Sequence, residues 1–133
     1  MAHIARGEFV VSMKPLAFEG ANPEFKIGRM SIDKQMSGDL TASTMGQMLS
    51  AMTSTSGSAG YVAIERVAGV LHGKRGTFVL QHAGTMNRGA PSLVVTVVPD
   101  SGTEELVGLE GEFTIKIEEG KHYYEFAYRL PGR

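Results

Sequence analysis

The sequence predicts an all-β protein that closes into an eight-stranded antiparallel barrel. Segments of about eight to twelve residues recur between turn signals along the whole chain, the spacing typical of sandwiches and up-and-down barrels. Eight such segments fit into the 133 residues. The 17 glycines are spread among them, which suits a domain with many turns and close strand crossings. A chain of this length forms a single domain, residues 1–133.

The first two strands are predicted at residues 5–13 and 24–36. Lys14-Pro15 ends the first, because proline interrupts the ladder of backbone hydrogen bonds. A loop at 19–23, which contains glycine, asparagine and proline, separates the two strands. Turn-forming residues of this kind favour a connection over a continued strand.

The third strand is predicted at 40–52, although its apolar residues suggest a second interpretation. Thr41, Ser43, Thr44 and Gly46 are poor residues for a helix interior, so we favour a strand. A Ser/Thr/Gly-rich stretch at 53–60 then forms a hairpin loop. The helical interpretation depends on residues spaced like an apolar helix stripe: Met45, Met48, Leu49 and Met52.

The fourth and fifth strands form a hairpin around Gly73-Lys74. Runs rich in β-branched and aromatic residues flank this pair, which predicts a two-residue turn with glycine in its first position. Counting outward from that turn places Glu65 opposite His82. A carboxylate and an imidazole in mid-strand, where apolar side chains are expected, mark this hairpin as the place to look for a functional site.

The remaining strands are predicted at 92–98, 112–118 and 122–130. The seventh alternates apolar and polar residues most clearly, as a half-buried strand does. Pro99 ends the sixth strand, and the turn-rich segment 100–106 has room for one helical turn.

Composition excludes several classes of function. The formal net charge is −1 and no long basic run is present, so nucleic acid is not expected as a partner. Cysteine is absent, which rules out disulfides and thiolate chemistry. No stretch approaches the about 18 apolar residues of a membrane helix, and no signal-peptide core is seen. We therefore expect a cytoplasmic protein with no membrane partner.

Four pieces of the sequence together resemble a known family: Ser37–Leu40, Glu65–Val67, Gly76–Gly84 and Val98–Gly111. The resemblance is to the domain of unknown function 3224 family, small bacterial proteins related in fold to allene oxide cyclase. It implies an eight-stranded barrel with a cavity and implies no activity. Allene oxide cyclases, apolar barrels that confine a fatty-acid-derived epoxide during ring closure, offer only an analogy, and none of their catalytic residues is matched.

Glu65 and His82 are the candidate catalytic residues. A carboxylate beside an imidazole sets the tautomer that general acid/base chemistry requires. The face that they share also carries Tyr61, Phe78 and Leu80 and is predicted to point into the barrel. The alternative is a buried polar pair that fixes strand register and contacts no ligand.

Aromatic residues on inward faces are candidate ligand contacts. They offer stacking surfaces and, in tyrosine, oriented hydroxyl groups; the alternative is that they are core residues. The four histidines lack metal-ligand spacing, so neither a metal nor a cofactor is expected. The candidates are Tyr61, Phe78, Tyr124, Phe126 and Tyr128.

Polar residues on the opposite faces receive structural assignments. Arg66 and Gln81 are predicted to point outward or into a subunit contact. Arg29 on the second strand is considered as an interior anion contact, with a surface ion pair to Asp33 as the favoured alternative.

Two functions follow as hypotheses. The first is a barrel that binds an apolar or amphipathic small molecule in its interior, with isomerase- or cyclase-type acid/base chemistry. The second is a non-catalytic barrel with a packed interior that self-assembles or binds a partner. Residues 93–98 are apolar on both faces, which predicts a homo-oligomer through the sixth strand, a dimer being favoured and a trimer open by analogy. Residues 16–18 are the alternative cover for this strand.

Overall fold

Eight antiparallel strands form a closed barrel in the computed structural model, which describes residues 2–19, 24 and 26–132. Each strand pairs with its neighbours in sequence, and β8 pairs back onto β1. This confirms the predicted fold. In the described part of the chain, no helix is long and apolar enough to cross a membrane. The strands are β1 Ala2–Leu16, β2 Ile27–Gly38, β3 Leu40–Met52, β4 Ala59–Leu71, β5 Lys74–Asn87, β6 Ala90–Val97, β7 Glu110–Glu118 and β8 Lys121–Arg129.

The number of strands agrees with the prediction, but several strand ends do not. β1 continues through Lys14-Pro15, where Pro15 lies opposite Met30 close to the end of the strand. A proline is tolerated there because little of the ladder remains to be interrupted. β3 has the predicted bounds, so the strand interpretation of its methionine-rich sequence is correct. The predicted loop at 19–23 and the start of the predicted second strand fall mostly outside the described residues, which omit 20–23 and Phe25.

The hairpin of β4 and β5 turns one residue earlier than predicted. Leu71 pairs with Lys74, so the turn residues are His72 and Gly73, with φ angles of 46° and 81°. Two left-handed residues in succession match the twist of a hairpin. The register therefore moves by two residues, and Glu65 pairs with Leu80 while His82 pairs with Ala63. Because the shift is even, every side chain keeps its predicted face.

One end of the barrel is filled by side chains. The rings of Phe113 and Phe126 stack with centroids 4.2 Å apart, and Phe78 stacks on Phe126 at 5.8 Å. A single 3₁₀ turn at Glu104–Leu106, inside the segment where one helical turn was predicted, places the fully buried Leu106 in this core. Dense packing of this kind closes the end of the barrel to ligands.

The other end is held together less completely. β6 and β7 pair at only two positions, Val95 with Phe113 and Thr96 with Glu112. Beyond these pairs the two strands separate, and Leu93 and Ile115 line the interior on the two sides of the gap. We call this gap the β6–β7 seam.

The Tyr124 hydroxyl connects β8 to the turn between β2 and β3, and removing this hydroxyl tests how much it stabilises the packed end. Its hydroxyl accepts a hydrogen bond from the Leu40 N–H at 2.9 Å and donates to the Ser37 carbonyl at 2.8 Å. We expect Tyr124→Phe to lower the free energy of unfolding by about 1 to 3 kcal/mol, because buried backbone groups lose their partner. Urea denaturation measures this change. Tyr123→Phe, on the neighbouring outward position, serves as the control, and an equal loss in both variants would contradict the assignment.

Candidate functional site

The open half of the barrel encloses a cavity of about 490 Å³. Lys34 and His82 are polar side chains in a lining that is otherwise mainly apolar. The barrel on the other side of these two residues is filled by core side chains. A concave apolar site with a few convergent polar groups is the usual form of a small-molecule site. Its apolar walls include Phe9, Val11, Met13, Ile32, Met48, Met52, Met86, Leu93, Ile115 and Ile117.

Beneath the cavity lies a buried carboxylate with three side-chain partners. Glu65 is fully buried. Its Oε1 atom lies 3.2 Å from Lys34 Nζ and 2.8 Å from His82 Nε2, and its Oε2 atom accepts a hydrogen bond from Thr44 Oγ1 at 2.6 Å. We call Glu65, Lys34, Thr44 and His82 the Glu65 cluster. Such a charge is tolerated in an interior only when it is paired and hydrogen-bonded.

Local backbone features bring these side chains together. Thr44 accepts a hydrogen bond from the Lys34 N–H at 3.0 Å, which leaves its hydroxyl proton for Glu65. Gly46 lies opposite Glu65 in the β3–β4 ladder. A Cβ atom at Gly46 would lie 2.7 Å from the Cα atom of Glu65 and 2.2 Å from the Ile64 carbonyl oxygen. The absence of a side chain therefore allows β3 and β4 to approach each other beside the carboxylate.

The partners decide the charge of Glu65. Burial alone raises the pKa of its carboxyl group, but the hydrogen bond from His82, the charge of Lys34 and the hydrogen bond from Thr44 outweigh burial and lower that pKa to about 2. The carboxylate is therefore ionised across the neutral range.

The ionised carboxylate fixes the role of each imidazole nitrogen of His82. A carboxylate only accepts hydrogen bonds, so Nε2 carries a proton and donates it to Glu65. In the neutral imidazole, Nδ1 is then the acceptor. His82 lines the cavity, so Nδ1 is the nitrogen that remains for a ligand.

Lys34 supplies the cation of the site and was missed by sequence reasoning. Its Nζ atom lies 4.7 Å from the centre of the Phe9 ring in addition to its contact with Glu65. Arg29, which was considered as an interior anion contact with a surface ion pair to Asp33 favoured, lies on the outside of β2 and donates to the Gln47 side chain at 2.9 Å and to the Ala17 carbonyl at 2.8 Å. The favoured ion pair with Asp33 is not among the salt bridges of the described residues. The available signal was the period-two spacing of Lys34 with the apolar residues Ile32 and Met36, which places Lys34 on the same inward face.

The sequence-predicted site residues separate into two groups. Glu65 and His82 are brought together on the inner face, but Glu65 is behind His82 and Lys34 and does not line the cavity. Tyr61 lines the cavity, with its ring centroid 6.4 Å from that of His82. The other predicted ligand contacts lie in the packed end and do not reach the cavity: Phe78, Tyr124, Phe126 and Tyr128.

Hydrogen bonding and stacking account for the positions of these aromatics. Phe78 and Phe126 stack on each other, Tyr128 bonds to the imidazole of His72, and Tyr124 holds the β2–β3 turn. His122, at the opposite end of the same face of β8, does line the cavity. Among the described residues, no group of three His, Asp or Glu side chains is placed to hold a metal ion.

Comparisons with known proteins identify relatives but no activity. A family model described as "Protein of unknown function (DUF3224)" matches residues 5–128. A Shewanella oneidensis MR-1 protein of unknown function from the DUF3224 family, known from a crystal structure, is 46% identical in sequence to this chain. The match covers 100% of both chains, and the two structures superpose with a TM-score of 0.93. No curated protein matches the chain.

The lowered pKa of Glu65 predicts how stability depends on pH. A folded-state pKa below the ordinary value of 4.5 stabilises the fold above that value, and this stabilisation disappears as pH falls from about 4.5 through about 2. We expect the wild-type protein to lose on the order of 3 kcal/mol more than Glu65→Gln across this interval. Urea denaturation at a series of pH values measures the difference.

Glu112→Gln provides the matched control, since this carboxylate lies on the exposed face of β7. Its stability profile should follow that of the wild type. Parallel profiles for Glu65→Gln and the wild type would contradict the buried ion pair as the origin of the acid sensitivity.

Proposed function

The chain belongs to the DUF3224 family, and we propose that it binds an amphipathic small molecule in the cavity inside the barrel. The family match indicates the fold and no activity. The observation that carries this proposal is an apolar space of about 490 Å³ whose lining includes Lys34 and His82, the two side chains that contact the buried Glu65 carboxylate through Oε1. Sites of this size and composition commonly bury most of a small ligand.

The walls suit the apolar part of such a ligand. Four methionines, Met13, Met48, Met52 and Met86, contribute to the lining. Thioether side chains are flexible and polarizable, so they adapt to ligands of differing shape. The walls therefore favour a linear or alicyclic hydrocarbon portion over one rigid shape.

The polar side chains of Lys34 and His82 suit an oxygen-bearing group of the ligand. Lys34 has three N–H donors and directs one toward Glu65, so others remain for a carbonyl or hydroxyl oxygen. His82 Nδ1 accepts a hydrogen bond from a hydroxyl group. Because the charges of Lys34 and Glu65 already balance, a neutral polar group enters this site at lower electrostatic cost than a second anion.

The same residues contain the parts of an acid/base reaction. His82 would take a proton through Nδ1, Lys34 would stabilise negative charge developing on a ligand oxygen, and Glu65 would position and polarise the imidazole. This supports isomerase- or cyclase-type chemistry on a carbonyl compound, with His82 and Lys34 as the catalytic residues and Glu65 as a positioning residue.

The ketone 2-decanone is a suitable probe of binding. With isotope-labelled methionine methyl groups, we expect it to shift the NMR signals of Met48, Met52 and Met86, which line the cavity. Met45, which is 65% exposed on the outer surface, is the internal control and should not shift. Saturable shifts at Met45 with none at the cavity methionines would contradict the proposal.

A charge-neutral double variant tests recognition of the oxygen. Lys34→Met combined with Glu65→Gln removes both charges without leaving either one unpaired in the interior. We expect the Kd for 2-decanone to rise about tenfold, the effect of losing one good hydrogen bond. Val10→Lys on the outside of β1, where Val10 is 73% exposed, should leave the Kd unchanged. Equal Kd values for the double variant and the wild type would show that Lys34 and Glu65 do not contribute to recognition of the ketone oxygen.

A further inference from the structure

The outer surface of β3, β4 and β5 is unusually apolar for a protein surface. Met45 is 65% exposed, Val62 54% and Ile64 52%, and these side chains belong to adjoining rows of the same sheet. Contiguous apolar surface of this kind on a soluble protein marks an interaction site. We call it the β3–β5 face; its outward residues are Met45, Gln47, Leu49, Val62, Ile64, Arg66, Val79 and Gln81.

Two opposite charges flank the centre of one row of this face. Asp33 on β2 pairs with Met45 on β3, and Met45 pairs with Arg66 on β4. Both charged residues are exposed, and neither forms an ion pair within the part of the chain that the structure describes. Because neighbouring strands are about 4.8 Å apart, the two charges lie at equal distances on either side of Met45.

We propose that the β3–β5 face binds a second copy of this chain through a two-fold axis that lies in the interface and runs along β3 above Met45, so that β4 of each copy lies over β2 of the other and β5 lies toward β1. Rotation about this axis exchanges the two sides of β3 and preserves position along the strand. Asp33 of one copy then meets Arg66 of the other, twice in the dimer, and Met45 packs on its own equivalent. A surface that is complementary to itself in this way is the requirement for a two-fold dimer.

One feature favours a second copy over another partner. The acid and the base occupy symmetric positions, which a complementary surface on an unrelated protein would not require. The described strands close into a barrel and leave free edges only at the β6–β7 seam, which favours association through a face.

The sixth strand, where the sequence predicted self-association, lies at the margin of this surface. Val94 is 55% exposed and follows Val62 and Ala83 in the outward row of the sheet. Residues 16–18, the alternative cover, place the Ala17 carbonyl against Arg29 on β2 instead. No charge pair marks β6, so the inferred centre of contact moves to β3.

Charge reversal provides a direct test by sedimentation velocity at micromolar concentration. We expect the wild type to sediment at twice the 14.3 kDa mass of the chain. Asp33→Arg and Arg66→Asp should each raise the dimer Kd at least tenfold, because like charges then face each other across the interface. The double variant Asp33→Arg/Arg66→Asp should restore the wild-type Kd. Thr114→Lys on the exposed face of β7, the strand farthest from β3 in the barrel, should leave it unchanged, and circular dichroism checks that every variant is folded.

Three outcomes would overturn the inference. The first is a wild-type protein with the mass of a monomer. The second is a dimer that Thr114→Lys dissociates and Asp33→Arg does not. The third is a double variant that remains as weak as the single variants, which would place the two charges in contact with something other than each other. None of these outcomes depends on whether the cavity binds a ligand.

Discussion

The buried carboxylate of Glu65 is the constraint on which the arrangement of the barrel interior depends. An isolated charge in this position would be prohibitively costly, and each of its side-chain partners comes from a different strand: Lys34 from β2, Thr44 from β3 and His82 from β5. A slip of one residue between any two of these strands would turn one partner to the outside. The same contacts therefore set the register of half the barrel and place a lysine and a histidine in the lining of the cavity.

One end of the barrel is packed with side chains, and the other end contains the cavity. Stacked aromatics, Leu106 and the hydrogen bonds of Tyr124 supply dense packing at one end, where large stabilising contributions are expected from burial. The open end gives up that packing and keeps a cavity. The Glu65 cluster lies between them, so the polar groups of the site rest on the packed part of the interior, as precise positioning of functional groups requires.

Some features could be predicted from the sequence because they depend only on local patterns. Turn signals gave the number of strands, and alternation gave the shared face of Glu65 and His82, which an even error in register did not disturb. Alternation cannot give height along the barrel axis, which is why Tyr128 and Phe126 share a face with His122 yet lie away from the cavity. Lys34 was missed because a lysine in a strand is ordinarily solvated, even though it shares a strand face with Ile32 and Met36.

The β6–β7 seam affects the cavity through the backbone as well as through side chains. Where β6 and β7 separate beyond Val95 and Phe113, the N–H and C=O groups that point toward the seam have no partner on the opposite strand. Backbone groups of this kind require water or another hydrogen-bonding partner. We therefore expect water to bind the backbone groups on this side of the barrel wall, so that a molecule entering here would exchange hydrogen bonds with water and peptide groups.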